Sequence, residues 1–342
     1  MARKPTSSSI TIRDVARQAG VSVATVSRYI NATARVSEPV AERIEEVLTR
    51  LRYRPHAAAR QLATQKMMAI GLLLNSIYND FFGPLLYGIE ELVQQNGYNL
   101  LVATSRPERR KGSYPALGAH NVDGLLVFAD SLSISELRDL HAQKLPMVLI
   151  HRSSPDGLDI PSVTVENKAA TFQIIDHLIT RHGRRRIIFM QGKVEQEDSY
   201  WREVGYREAL KAHGIKFDPS LVLHGDFERD VAYLSMRNFL SQPKRKSFDA
   251  VFAGDDSAAI GVMEALEQSG LSIPQGVSVV GFNDSRHSAF LNPPLTTIKA
   301  PTHEVGRIAT KHLFSLITNH PVDAITLLPT EIILRQSCGC TS

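Results

Sequence analysis

The sequence predicts a two-lobed α/β body of parallel sheets behind a small all-α module built on a helix-turn-helix. Three observations carry this reading. From Met67 onward short apolar runs alternate with helical segments, the pattern of strands joined by crossovers. Before that, residues 1–66 hold three short helical segments separated by tight turns. Charge divides at the same place: the first 66 residues carry twelve Lys and Arg against five Asp and Glu, net +7, and the remainder carries 27 against 30, net −3.

A basic module ahead of a mildly acidic body points to attachment to a polyanion, most often nucleic acid, although a solvated helix face carries the same charge signature. At 342 residues, with 43% apolar and 22% charged residues, the chain is long enough for two or three domains and is not a disordered or collagen-like polymer. Its two cysteines, Cys338 and Cys340, lie too near each other to frame a disulfide-built fold. The longest apolar runs, such as Ala69 to Leu74, fall far short of the ~20 residues of a membrane span, and Met1 to Ile10 lacks a signal-peptide apolar region. A cytoplasmic, nucleoid-associated protein with no membrane partner is expected.

The elements follow in order. Thr11 and Asp14 form a capping pair for a first helix, Val15, Ala16 and Ala19 give it an apolar face, and Gly20 supplies a left-handed stop. Ser22 caps a second helix with Val26, Tyr29 and Ile30 on one face and Ala24, Ser27, Arg28 and Asn31 on the other. Ser37 caps a third, with Pro39 in its first turn and a stripe of Val40, Ile44, Val47, Leu48 and Leu51. Helix two is too short to persist alone, so its inner face must be packed while its small outer face is free to enter a major groove. A three-helix cap packed on the larger domain would show the same pattern.

Residues 54–66 read as a linker: after Pro55, Ala57 to Ala63 are strong helix formers in a segment below the ~12 to 15 residues an isolated helix needs. Strands are expected at Ala69 to Leu74, Leu100 to Ala103, Gly124 to Phe128, Met147 to Ile150, Arg186 to Met190, Ala250 to Ala253 and Val277 to Phe282. Helices are expected at Phe81 to Gln95, Ala169 to Arg181, Gly205 to His213 and Ala258 to Gln268, and the Ser153 to Gly157 turn is read as a break between two lobes.

The run Thr11-Ile-Arg-Asp-Val-Ala-Arg-Gln-Ala-Gly-Val-Ser-Val-Ala-Thr-Val-Ser-Arg-Tyr-Ile-Asn31 closely resembles the DNA-binding headpiece of the LacI/GalR family of bacterial transcription regulators. The resemblance continues through Tyr53-Arg-Pro-His-Ala-Ala-Ala-Arg-Gln-Leu62 to Leu328-Pro-Thr-Glu-Ile-Ile-Leu-Arg-Gln-Ser-Cys338, covering essentially the whole chain. It implies a headpiece at 1–53, a hinge at 54–66 and, at 67–342, a fold like periplasmic sugar-binding proteins with lobe crossovers near 166, 295 and 328. It implies a homodimer on double-stranded operator DNA, with Thr11, Ser22, Val23, Ala24, Thr25, Ser27, Arg28 and Asn31 at the DNA and Val23 and Ala24 helping choose bases. The Val-Ala pair looks like the galactose type more than the lactose type; such side chains read thymine methyls, and Arg28 can pair with a guanine edge. In the hinge, Ala59 faces DNA and Leu62 matches a leucine wedged between base pairs from the minor groove, although a leucine packed on the body is the blander alternative.

For the body, the resemblance implies a small-molecule effector. Ligands of open parallel sheets bind beyond strand carboxyl ends, and here those ends are followed by Asn75, Asp226 with Phe227, Asp255 with Asp256, and Asn283 with Asp284. Arg202 matches the family's effector-binding arginine, and Asn75, Phe227, Asp255 and Asn283 match other pocket positions. Carboxylate, amide and guanidinium groups suit neighbouring sugar hydroxyls, and an aromatic covers an apolar sugar face. A purine or nucleoside could use the same set with Phe81 and Phe82 as stacking partners, although residues that begin a helix are more often core or hinge packing than ligand platforms. Asp256 is read as the cap of the following helix and Trp201 as a lobe-surface aromatic.

Asn283 stands where the family usually has Asp, and Gly112, Pro115 and Gly118 interrupt the segment from Ser105 to Asp123 near the usual subunit contact. No Gly-x-Gly-x-x-Gly turn or Gly-x-x-x-x-Gly-Lys loop supports an enzyme, and no cofactor is expected. His177 and His182, five apart, are not expected to face one metal. Cys338 and Cys340 supply only two ligands, so a loose C-terminal tail is the reading there and no metal is assigned. A sugar-binding transport receptor would share the body but not the headpiece. No leucine heptad follows Cys340, so a tetramer built that way is not expected.

Overall fold

The computed structural model describes residues 10–30, 34–53, 66–78, 80–105 and 115–341. They fall into two compact units divided between Met67 and Met68.

The first unit contains helices α1 (Ile12–Ala19), α2 (Val23–Ile30) and α3 (Glu38–Leu51). Thr11 donates its backbone N–H (3.0 Å) and hydroxyl (2.7 Å) to Asp14 Oδ2, and Gly20 ends α1 at φ 66°, a backbone that glycine adopts without penalty. The Ser22 hydroxyl accepts from the Thr25 amide at 3.1 Å, opening α2. Ser37 has the extended N-cap backbone, but no capping bond to its side chain forms; the start of α3 instead uses Pro39, whose fixed φ suits a first turn. Val15, Ala16, Ala19, Val26, Ile44 and Val47 close the core, and Tyr29 Oη donates to Glu45 Oε2 at 2.7 Å, tying α2 to α3.

The second unit carries two parallel sheets. The first contains β1 (Ala69–Leu74), β2 (Asn99–Thr104), β3 (Gly124–Phe128), β4 (Met147–Ile150), β5 (Ser162–Val165) and β11 (Ile325–Leu328), in the order β11-β5-β4-β3-β1-β2. The second contains β6 (Ile187–Gln191), β7 (Val222–His224), β8 (Ala250–Ala253) and β9 (Ser278–Val280), in the order β7-β6-β8-β9. Helices α4 (Phe82–Gln95), α5 (Ile134–Ala142) and α10 (Thr302–Ile317) belong with the first sheet; α6 (Lys168–His182), α7 (Glu197–Ala212), α8 (Arg229–Ser241) and α9 (Asp256–Gln268) belong with the second. The central strands β1, β3, β4, β6 and β8 are buried throughout, as a sheet covered on both faces requires.

The chain passes from the first sheet to the second after Val165, returns between Val280 and α10, and crosses again after Leu328. At the last two passages β10 (Thr297–Lys299) and β12 (Glu331–Ile333) pair antiparallel. The Ser153 to Gly157 turn is therefore not the break between lobes: it joins β4 to β5 within one sheet. It does reach the other lobe, because the Ser153 hydroxyl donates to Glu197 Oε1 at 2.6 Å.

The C-terminal segment is not a loose tail. Cys338 is fully buried, the Ser337 hydroxyl donates to the Val279 carbonyl at 2.6 Å, and the Ser278 hydroxyl donates to the Cys338 carbonyl at 2.7 Å. These bonds tie the segment around Cys338 into the second lobe. Among the described residues no helix is long and apolar enough to cross a membrane.

Candidate functional site

Strand order reverses between β1 and β3 in one sheet and between β6 and β8 in the other, so each has a crevice at the carboxyl ends of those strands. A cleft of about 600 Å³ opens there, lined from the first lobe by Asn75, Tyr78, Phe81, Phe82 and Phe128, and from the second by Arg202, Phe227, Asp255 and Asn283. All seven effector positions expected from the sequence line this cleft.

Arg202 projects from α7 with its guanidinium buried. Its Nε donates to Asn167 Oδ1 at 2.8 Å, an Nη donates to the Gly254 carbonyl, and Asp198 lies 3.7 Å away. The guanidinium also sits 3.6 Å from the Phe282 ring centroid and 5.3 Å from that of Phe227, so its plane and charge are fixed before any ligand arrives. Burial works to raise the Asp198 carboxyl, but His151, Arg202 and Asn167 overcome it and hold the group below the usual carboxylate range.

Asp255, not Asp256, caps α9: its Oδ1 accepts from the Ala258 amide at 2.8 Å. Burial pushes the Asp255 carboxyl up to about 8, with the neighbouring Asp256 adding to the rise and the Ala258 bond opposing it. A carboxyl held neutral at physiological pH offers the cleft one O–H donor as well as an acceptor. Asp256 is the first helical residue and is used internally, accepting from the Ser285 amide (2.7 Å), the Ser288 hydroxyl (2.6 Å) and the Thr297 hydroxyl (2.6 Å). Sequence position alone does not separate the two, because either Asp can stand at a helix start.

Asn283 lies at φ 107°, with its amide donating to the Ile298 carbonyl at 2.7 Å. Its side-chain Oδ1 is buried and makes no hydrogen bond among the described residues, an acceptor left for a ligand donor. The Phe227 ring covers Gly192: a Cβ on that glycine would stand 2.1 Å from Phe227 Cζ. Phe82 is buried, and Phe81, Phe82, Phe128 and His151 pack edge-on or tilted at 5.1 to 5.7 Å between ring centroids, giving a thick aromatic wall rather than a free stacking platform.

Carboxylates outnumber cations around the cleft, Asp80, Asp198, Asp226, Glu228 and Asp230 against Lys193, Arg202 and Arg229. Sequence reasoning missed Asp198 and Gln196. Asp198 stands four residues before Arg202 on one helix, so helical spacing was the available signal. Gln196 donates to Asp130 Oδ1 at 3.1 Å, the oxygen that also accepts from Asn75 at 2.9 Å, so Asp130 bridges the lobes.

In the first unit Ala24 and Arg28 are exposed on the outer face of α2, as is Val23, and Val26 is buried on the inner face. Thr25 and Ser27 are half-buried, while the Thr11 and Ser22 hydroxyls are engaged in the caps described above. Asn31, Ala59 and Leu62 lie outside the described residues.

Comparison with known proteins agrees with both units. Residues 11–56 match the model for bacterial regulatory proteins of the lacI family, and residues 175–338 match a periplasmic binding protein-like domain. Catabolite control protein A of Priestia megaterium is 32% identical over 333 residues, 96% of this chain and 99% of the relative. The chain belongs to the LacI family. Within it, the ribose operon repressor of Escherichia coli K12 is 31% identical, covering 95% of this chain and 98% of its own, and the repressor PurR of Vibrio campbellii is 32% identical, covering 96% and 98%. A lac repressor dimer bound to operator and the anti-inducer ONPF superimposes with a TM-score of 0.84 at 26% identity over 96% of this chain and 99% of that one. A cellobiose complex of the regulator CelR gives 0.71 at 28%, with the same coverage. LacI-family proteins are DNA-binding transcription regulators, not enzymes, so the enzyme and transport-receptor readings fall away.

Proposed function

We propose that this LacI-family regulator is a dimeric repressor of carbohydrate-utilisation genes, organised as headpiece 1–53, hinge 54–66 and effector domain 67–342, and released from a near-palindromic operator by a neutral sugar. The observation that carries the sugar reading is the cleft's polar set. Arg202 is clamped, Asp255 is a neutral donor and acceptor, and Asn283 holds an unused buried acceptor. The surrounding excess of carboxylates repels phosphate and leaves hydroxyls as the fitting partners. Phe227 supplies an apolar cover. A nucleobase needs a flat ring to stack on, and the edge-on packing of Phe81 and Phe82 argues against it.

The exposed Val23, Ala24 and Arg28 of α2 fit a major-groove reader, with Leu62 as a minor-groove wedge in the hinge. Exposed Tyr87 on α4 and Leu101 and Val102 on the edge strand β2 suit a contact between two copies. A ligand gripped by both lobes stabilises one lobe angle, and in a dimer that angle sets the spacing of the two hinges.

The test is a thermal-shift panel of neutral sugars, sugar phosphates and nucleosides, followed by operator titration with each binder. A neutral sugar that raises the unfolding temperature and weakens operator binding roughly 5- to 150-fold is the expected result. Binding of a nucleoside alone would transfer the assignment to purine sensing. Equal affinity for palindromic and scrambled duplexes at fixed salt would remove the operator assignment.

A further inference from the structure

Far from the cleft, the far end of α6 meets the last residues of the chain. One ligand atom from each of His177, His182, Cys338 and Cys340 lies within 4.8 Å of the other three. The two imidazole Nε2 atoms are 3.2 Å apart, and each is 3.5 Å from Cys340 Sγ. A tetrahedral zinc ion with bonds of about 2.0–2.1 Å to nitrogen and about 2.3 Å to sulfur needs its ligands about 3.4 Å apart for two nitrogens and about 3.5 Å for nitrogen and sulfur. From the geometry we infer that this regulator holds a structural zinc ion in a His2Cys2 site that clips its C-terminus to α6.

Helical spacing alone argues against the pair, since residues five apart do not share a face. His182, however, is the last residue of α6 before Gly183 (φ 66°), and the two rings reach each other at 4.9 Å between centroids. The cysteines come in on a turn that needs Gly339: its φ is 111°, and a Cβ there would stand 3.0 Å from His182 Nδ1. The surroundings suit a cation rather than a chance cluster. Cys338 is anchored, with Thr296 Oγ1 3.1 Å from its sulfur, while Cys340 and both histidines are only half-buried and leave a route of entry.

The clip joins the first helix after the first lobe crossover to the segment after the third, closing the second lobe on itself as a disulfide would. Binding replaces the thiol protons of Cys338 and Cys340, which pass to solvent, so affinity rises with pH.

The experiment uses the untagged full-length chain, stripped of metal with a chelator under reducing, oxygen-free conditions and titrated with zinc. The expected result is one zinc per chain after desalting, an unfolding temperature raised by roughly 5 °C or more, and, with cobalt in place of zinc, the visible spectrum of a tetrahedral thiolate site. Cys340→Ser and His177→Gln should each lower zinc affinity about 100-fold or more; the cobalt spectrum of the unsubstituted chain keeps the test valid if a variant does not fold. Less than about a tenth of an equivalent of zinc, no cobalt spectrum, unchanged affinity in well-folded variants, or a Cys338–Cys340 disulfide that persists under the reducing conditions would each overturn the proposal.

Discussion

His151 Nδ1, at the end of β4, lies 2.8 Å from Asp198 Oδ2 on α7, so a short polar contact spans the two lobes beside the cleft. Asp198 also accepts from Asn167 at 2.8 Å and stands 3.7 Å from Arg202, which places the contact between lobes and the cleft-lining guanidinium on one carboxylate. His151→Gln should loosen the closed arrangement and weaken effector binding by ~1 to 3 kcal/mol without touching the headpiece. Because the Asp198 carboxyl is held below its ordinary value, the stability it contributes is present above that value and is lost as pH falls through the lowered one. Effector titrations and urea unfolding between about pH 3 and 7 check both statements; an unchanged affinity in the variant would make the pair incidental.

Asp255 behaves in the opposite sense. Its carboxyl is raised to about 8, so its contribution favours the folded state most below the unfolded value and fades as pH rises through 8. Asp255→Asn keeps an oxygen to accept from Ala258 but cannot ionise. The variant should show a flatter dependence of unfolding temperature on pH from about 6 to 9, and should be the more stable protein at the upper end of that range. A slope matching that of the unsubstituted chain would show that Asp255 is not the titrating group.

Continuous apolar runs made β1, β3, β4 and β8 legible to the residue, because strands buried on both faces carry no polar interruption. Helix α7 was legible only in its second half. Its opening stretch, Glu197 to Val204, spends Asp198 and Arg202 on the cleft and Glu197 on Ser153 of the other lobe, so no apolar stripe marks it. The cleft residues that follow strand ends could be found from topology, whereas Asp130 and Gln196 could not, since their role arises only when two lobes meet. The cluster at His177 and Cys340 escaped for the same reason: its halves are remote in sequence and are joined only by the packing of the chain's end.

On the headpiece, Arg28 is exposed on the face of α2 opposite buried Val26. Arg28→Ala should cost ~1 to 3 kcal/mol in operator affinity and relax the choice of base at one position per half-site. Titrations against single-base operator variants at fixed salt measure this. A uniform loss across all variants would make Arg28 a phosphate contact instead.

Gly192→Ala tests the aromatic cover of the cleft. Alanine needs no unusual backbone here, but its Cβ would meet three carbons of the Phe227 ring at 2.1 to 2.4 Å, so the ring must swing away from its place beside Arg202. Effector affinity should fall about tenfold or more, as expected when an apolar sugar face loses its partner, while operator binding without effector survives. Phe227→Ala should cost a similar amount. The double variant should be no worse than either single one, because both remove the same contact, and that non-additivity separates displacement of the ring from general damage to the lobe. Independent, additive losses would mean that Gly192 matters for some reason other than Phe227.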